Sequence, residues 1–361
     1  MQPEIKRYTT TVGSKQISIE TGRLAAQAGG AVTVHLNDSI LFAAATMGGI
    51  RPGIDFFPLT VEYEERMYAG GIIPGSFFRR EGRPSTDAIL TARLTDRPLR
   101  PLFPEGMRNE VQIIMYSLSA DAENPLDVLA INAASAAVMI SDIPWDGPVA
   151  AVRVGRVNGE FVINPTFAEM DKSDLDLRIA GTRDAILMVE AGSDEIPEEA
   201  MVAALEFGHK AIQPLIDLQL QMRQEIGKPK REIAVILPDQ IFQEKVFAQV
   251  SEKMNSLLDK PLKKAEFYSG MDALLQDLVT EFIPSEGTKV KVADETDVET
   301  LPEFTLPETP SLEALKEAFS EAEKKIVRER ILTQGKRPDG RTPTEIRPIW
   351  CEVGFSPRAH G

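Results

Sequence analysis

The residues of this chain best suited to chemistry lie between Phe77 and Arg108. Seven arginines stand there (Arg79, Arg80, Arg83, Arg93, Arg97, Arg100 and Arg108), with no lysine and four carboxylates, Glu81, Asp87, Asp96 and Glu105. Arginine without lysine is informative, because the planar guanidinium fork meets a phosphate through two parallel N–H bonds and also stacks on flat rings. Phe77 and Phe78 are adjacent and bracketed by Gly75 and Gly82. On an exposed loop such rings offer stacking faces to unpaired bases. Aromatic rings beside arginines are the equipment for handling single-stranded RNA. The plainer alternative puts both phenylalanines in a core and pairs the arginines with neighbouring Asp and Glu, and composition alone does not choose between the two.

Other candidates carry less. Asp171, Asp174 and Asp176 are a carboxylate set of the kind that holds Mg²⁺ along with waters, but acidic residues ahead of a strand are more often turn formers. His35 falls within a strand pattern and His209 within a helix pattern, so both read as structural, and His360 stands next to the last residue. No P-loop, G-x-S-x-G, H-E-x-x-H or G-x-G-x-x-G occurs, which removes support from the common nucleotide, esterase and zinc-hydrolase readings. The single cysteine, Cys351, cannot close an internal disulfide and belongs to no metal-binding spacing, as expected of a reducing compartment.

The elements that must position these side chains follow from patterning. The chain has 361 residues, 43% hydrophobic and 26% charged, a globular composition long enough for two or three domains. Its net charge of −15 argues against coating nucleic acid or anionic membrane with the whole surface and confines any anion site to a local basic island. No apolar run approaches the roughly 20 residues needed to span a bilayer, and the start lacks a signal-peptide core. A cytoplasmic location without membrane contact is therefore expected. Short β-rich runs at 16–20, 31–36, 39–47 and 57–63, with a hairpin signal at Asn37-Asp38, precede a helix pattern from Ser85 to Arg97 that Pro98 and Pro101 are expected to stop or kink. A strand at 110–119 and an Ala-rich, apolar helix at 126–140 complete an α+β region.

Four β-rich runs at 149–155, 160–164, 175–180 and 185–190 then lead to a long helix opening at Pro197 and bent near Pro214. Helical patterns dominate from Asp239 to Ile283. The stretch Asp294–Glu308 holds six carboxylates, no basic residue and two prolines, and reads as an acidic loop. A final helix capped by Ser311 carries Leu315, Phe319, Ala322 and Ile326 on one face, with Glu321 and Lys325 placed to pair on the other. Ile349 to Gly354 (I-W-C-E-V-G) echo Ile17 to Gly22 (I-S-I-E-T-G). This is a weak repeat signal by itself, but its position after a helical connector predicts the opening strands of a second copy of the first domain. The expected boundaries are 1–143 and 144–230 for two halves of a first core, 231–333 for a helical domain, and 334–361 for the start of a second core.

The run GSFFRREGRPS (Gly75–Ser85), followed by ARLTDRPLRPLFPEG (Ala92–Gly106), resembles the first core of the bacterial polynucleotide phosphorylase family, and Arg337-Pro338-Asp339-Gly340-Arg341 resembles the opening of that family's second core. The resemblance covers essentially the whole chain. It implies an α+β ribonuclease PH-like domain, of the ribosomal protein S5 domain 2-like fold, then an all-α domain, then a second ribonuclease PH-like domain of which this chain holds a truncated start. It further implies a homotrimeric ring that takes part in RNA processing and mRNA degradation from the 3′ end by phosphorolysis. Inorganic phosphate is the co-substrate, nucleoside diphosphates are released, Mg²⁺ is the cofactor, and the reaction is reversible. By the same resemblance Phe77, Phe78, Arg79 and Arg80 grip single-stranded RNA, and Arg83, Arg93, Arg97 and Arg100 contact phosphates. The family's phosphate and metal sites belong mainly to the second core, so the chain alone is expected to lack activity and no catalytic or metal residue is assigned within it. Asp176 resembles a metal-holding aspartate of that second core, but Met170 stands where the partner carboxylate is required. The alternative is a non-catalytic RNA-binding and oligomerisation module of the same fold.

Overall fold

A computed structural model describes residues 4–51, 54, 56–75, 77–235, 239–260, 264–283 and 310–358. The acidic stretch 294–308 and His360 lie outside the described residues. The chain divides into two compact units, Met1–Ile236 and Leu237–Gly361.

The first unit holds two sheets. Strands β1 (Lys6–Val12), β2 (Lys15–Thr21), β3 (Gly30–Leu36), β4 (Ser39–Ile50), β5 (Leu59–Glu65) and β6 (Asn109–Ser119) form a six-stranded sheet in the order β1-β2-β3-β4-β6-β5. All neighbours are antiparallel except β5, which runs parallel to β6. The β3–β4 hairpin turns at the predicted Asn37-Asp38, with Asn37 at φ +51°, a conformation that asparagine tolerates better than most residues. A parallel pair cannot be closed by a tight turn and needs a crossover. Here the crossover is α1 (Thr86–Leu99), the helix that carries two of the candidate arginines, Arg93 and Arg97, with Arg100 as its C-cap.

α1 starts where predicted, with Ser85 accepting from the Ala88 amide at 3.1 Å. It does not stop at Pro98. The helix runs on to Leu99, and the Arg100 amide still bonds the Asp96 carbonyl. Pro98 and Leu99 are both buried, so tertiary packing holds the last turn against the lost amide of the proline. α2 (Asp127–Ile140) is buried at every position from Val128 to Ile140. It touches β3, β4 and β6 of the first sheet, β7 of the second, and helices α1 and α5, which is why its sequence is apolar all round.

The second sheet consists of β7 (Ala150–Val157), β8 (Glu160–Ile163), β9 (Ser173–Gly181) and β10 (Ile186–Ser193) in the order β10-β9-β7-β8, all antiparallel, with the short α3 (Phe167–Met170) between β8 and β9. The long helix expected after Pro197 is two helices, α4 (Glu198–Ala211) and α5 (Gln213–Ile226), because Pro214 falls in the first turn of a new helix instead of bending an old one. Both sheets share one continuous core, so residues 1–143 and 144–230 fold as one body.

In the second unit α6 (Gln240–Leu258), α7 (Lys264–Phe282) and α8 (Leu312–Gln334) pack around their own core. The predicted stripe of α8 is buried there, and Ser311 caps the helix. Glu321 pairs with Lys324, not Lys325, and the Lys325 ammonium lies 4.4 Å above the Phe247 ring. After α8, the Arg337 amide bonds the Arg341 carbonyl at 3.1 Å and Gly340 takes φ +80°. The strands expected at 349–354 are absent from the described residues: Ile349, Trp350 and Val353 are exposed, and an extended segment with no ladder partner gains nothing from strand geometry. Gly22 and Gly354 nevertheless both take positive φ, at +95° and +74°.

Candidate nucleic-acid interface

Residues 66–85 connect β5 to α1 and carry the aromatic tip. The loop opens with a 3-10 turn over Met67–Gly70, closed by Gly71 at φ +70°. The Met67 amide donates to the Glu81 carboxylate at 2.9 Å, which folds the two arms of the loop together. Between them Phe77 is 93% and Phe78 is 76% exposed. The two rings touch edge to face, with centroids 5.5 Å apart. Two large apolar side chains held in water have no folding rationale, so the core alternative for Phe77 and Phe78 is excluded by geometry. Arg79 follows at φ +52°, a conformation that costs a non-glycine residue about 1 kcal/mol or more and is typical of functional loops.

The arginines fall into two groups. Arg79, Arg80, Arg83 and Arg93 have no ion pair among the described residues. Arg80 lines a hollow of about 510 Å³ together with Met67, Phe78 and Glu81. Arg83 lines another of about 450 Å³ beside Glu64, Glu65 and Ser117. Arg97 instead pairs with Glu190 of β10 at 2.8 Å and donates to the Val189 carbonyl at 3.3 Å. Arg100 pairs with Asp96 at 2.5 Å, donates to the Phe57 and Leu59 carbonyls, and stacks over the Phe57 ring. Arg97 and Arg100 thus follow the plainer reading of neutralised side chains, while the loop arginines and Arg93 keep their guanidinium groups available. Arg108 is buried.

Beyond the loop lies an ionic network that the sequence did not announce. Arg153 of β7 contacts Asp127 at 3.2 Å and Asp176 at 2.9 Å, and Arg178 of β9 contacts the same two at 2.6 and 3.3 Å. Burial and the hydrogen bond to Asp127 act on Arg178, with a net rise above its ordinary value. Asp174 is held by Arg156 at 3.1 Å. No group of three or more Asp, Glu, His or Cys among the described residues is arranged to hold a metal ion. Around Asp176 the positions that a hard cation would take are filled by two guanidinium groups, so these residues do not fit Mg²⁺. The two histidines within the described residues have structural partners: His35 bonds Thr33 at 3.0 Å and His209 bonds the Thr182 carbonyl at 3.0 Å.

The two sheets of the first unit coincide with the two domains of the 3′ exoribonuclease family. The model for the 3′ exoribonuclease family, domain 1, matches residues 13–144, that for domain 2 of the same family matches 147–211, and that for the polyribonucleotide nucleotidyltransferase RNA binding domain matches 242–342. The polyribonucleotide nucleotidyltransferase of Thermus thermophilus is 45% identical over 364 residues, covering 99% of this chain and 48% of the relative. That of Nitratidesulfovibrio vulgaris is 46% identical over 356 residues, covering 98% and 44%. The chain belongs to the polyribonucleotide nucleotidyltransferase family. It spans about half the length of the curated relatives it matches. Rice Rrp46 overlays with a TM-score of 0.47 at 16% identity, over 62% of this chain and 96% of that one, a likeness too loose to bear on the site. No helix among the described residues is long and apolar enough to cross a membrane.

Proposed function

We propose that this chain supplies the RNA-gripping part of a 3′-to-5′ phosphorolytic exoribonuclease acting on single-stranded RNA. The observation that carries this reading is the exposed Phe77–Phe78 pair beside arginines with no carboxylate partner. Phe77 and Phe78 stack on bases of any identity, while Arg79, Arg80, Arg83 and Arg93 neutralise backbone phosphates, so the grip is blind to sequence. Arg97 and Arg100 act from behind by fixing α1 to β10 and to the start of β5, and reach phosphate only by giving up their present partners. In the whole enzyme an oxygen of inorganic phosphate attacks the terminal phosphorus and the bond to the preceding 3′ oxygen breaks. A nucleoside diphosphate leaves, and the shortened chain keeps its 3′ hydroxyl. Mg²⁺, implied by the family, would stabilise charge on the phosphoryl oxygens, but no step is assigned to a metal held by Asp176. Assembly as a homotrimer in the cytoplasm belongs to the same reading.

The second reading, a non-catalytic RNA-binding and oligomerisation module, is favoured by the closed network of Arg153 and Arg178 with Asp127 and Asp176, which leaves no open carboxylate pair at the corresponding place. One experiment separates the two. The purified chain is incubated with poly(A) and Mg²⁺, with and without phosphate, and both binding and ADP are measured. Phosphate-dependent ADP places a complete reaction site in this chain. Binding without ADP places the reaction elsewhere in the whole protein, and absence of binding to a folded chain overturns both readings.

A further inference from the structure

The crossover that sets β5 parallel to β6 also leaves β5 at the outer edge of its sheet. The Val111 amide donates to the Pro58 carbonyl at 3.1 Å, which fixes the phase of the ladder. In a parallel pair alternate residues turn both main-chain groups the same way, so Pro58, Thr60 and Glu62 face β6 while Leu59, Val61 and Tyr63 face outward. Arg100 already takes the Leu59 carbonyl at 3.2 Å. Among the described residues no main-chain bond from outside the ladder reaches Val61 or Tyr63. A groove of about 630 Å³ runs along this edge, lined by the six consecutive residues Leu59–Glu64 and by the face of α1 that carries Ile89 and Ala92. Ile89 is 51% exposed there.

We propose that this groove docks an extended peptide of a partner protein, which adds to β5 as a seventh strand. Such strand addition takes affinity from main-chain bonds and specificity from alternate side chains. α1 covers the face of β5 that carries Leu59, Val61 and Tyr63, so on that side the incoming strand meets Ile89 and Ala92. The opposite face presents Glu62, which has no ion pair among the described residues, whereas Glu64, Asp96 and Arg97 pair with Arg66, Arg100 and Glu190; the other unpaired charge of the lining, Arg93, belongs to α1 and not to the row of Glu62. The matching partner therefore alternates apolar residues with basic ones. A second copy of β5 is a poor occupant, because pairing it with itself sets its Glu62 and Glu64 rows against each other. RNA can meet Arg93 in the groove wall but has no main-chain ladder to offer Val61 and Tyr63.

The probe is a labelled seven-residue peptide alternating valine and lysine, capped at both ends, with two controls in which glutamate replaces lysine or proline replaces alternate valines. We expect saturable binding by fluorescence anisotropy, weakened about tenfold or more in either control, together with slowed deuterium exchange at the Val61 and Tyr63 amides. Ile89→Asp and Glu62→Lys, both at exposed positions, weaken it to the same extent while the melting temperature stays put. Unchanged exchange at Val61 and Tyr63 in the presence of saturating peptide overturns the proposal. So does protection of these amides by poly(A), or by raising the concentration of the chain alone, which would assign the edge to RNA or to a second copy.

Discussion

At the scale of single residues, the loop owes its reading to two side chains that ought not to be in water and to cations that lack an anion. The double substitution Arg79→Ala/Arg80→Ala is expected to weaken binding to several homopolymers alike and to flatten the salt dependence of the binding constant by about one unit for each lost phosphate contact. Filter binding across a salt series checks this, and an unchanged slope would mean that neither guanidinium touches the backbone. These residues were legible in the sequence because they are contiguous, and a contiguous loop declares its own chemistry. The fates of Arg97 and Arg100 were not. Arg97 meets Glu190, 93 positions away, and the carbonyls that Arg100 holds belong to residues 41 and 43 positions back. Long-range pairs of this kind leave no trace in local spacing. Asp127, which binds both Arg153 and Arg178, escaped notice for the same reason.

At the scale of elements, α2 and the second sheet are joined by buried polar groups. Asn132 donates to the Ala151 carbonyl and accepts from the Ala151 amide, each at 2.9 Å. Ser135 donates to Gln219 at 2.6 Å, and Gln219 donates to the Val149 carbonyl at 2.9 Å. Gln219→Leu leaves the Val149 carbonyl buried without its donor and should cost about 1–3 kcal/mol, seen as a lower urea midpoint at unchanged slope. A second prediction concerns Glu20 on β2, whose carboxyl is held below its ordinary 4.5 mainly by the hydrogen bond from Arg23 at 2.6 Å. Above pH 4.5 the carboxyl is ionised in both the folded and the unfolded chain, and the bond contributes in full. As the pH falls the unfolded chain takes up the proton first, so the contribution shrinks and is gone below the folded pKa. Arg23→Gln should bring the Glu20 titration, followed by NMR, back up towards 4.5 and remove this part of the acid sensitivity.

Most strands were legible, because alternation and turn residues mark them locally. β1 was missed, since KRYTTTV carries little apolar signal and is held by pairing with β2. Pro98 was misjudged because the packing that tolerates it comes from distant chain.

At the scale of the whole molecule, the proposed function sets a net charge of −15, which disfavours RNA, against a local cationic loop that would attract it. Repulsion elsewhere should make binding at the loop more selective for strands threaded end-on, although screening at higher salt erases that difference. If three copies assemble as the family reading requires, light scattering should give about three times the mass of one chain at micromolar concentration. A mass equal to one chain at that concentration would withdraw the ring from this half of the protein.

The burial of α2 on all sides also has a consequence during synthesis. Its apolar surface is complete once Ile140 has been made, but the elements that cover it include β7 and, last of all, α5, which ends at Ile226. For more than eighty residues of further translation the nascent chain therefore holds a helix with an uncovered, sticky flank. The ribosome-bound intermediate is therefore expected to expose more apolar surface, and to aggregate more readily, than the finished fold.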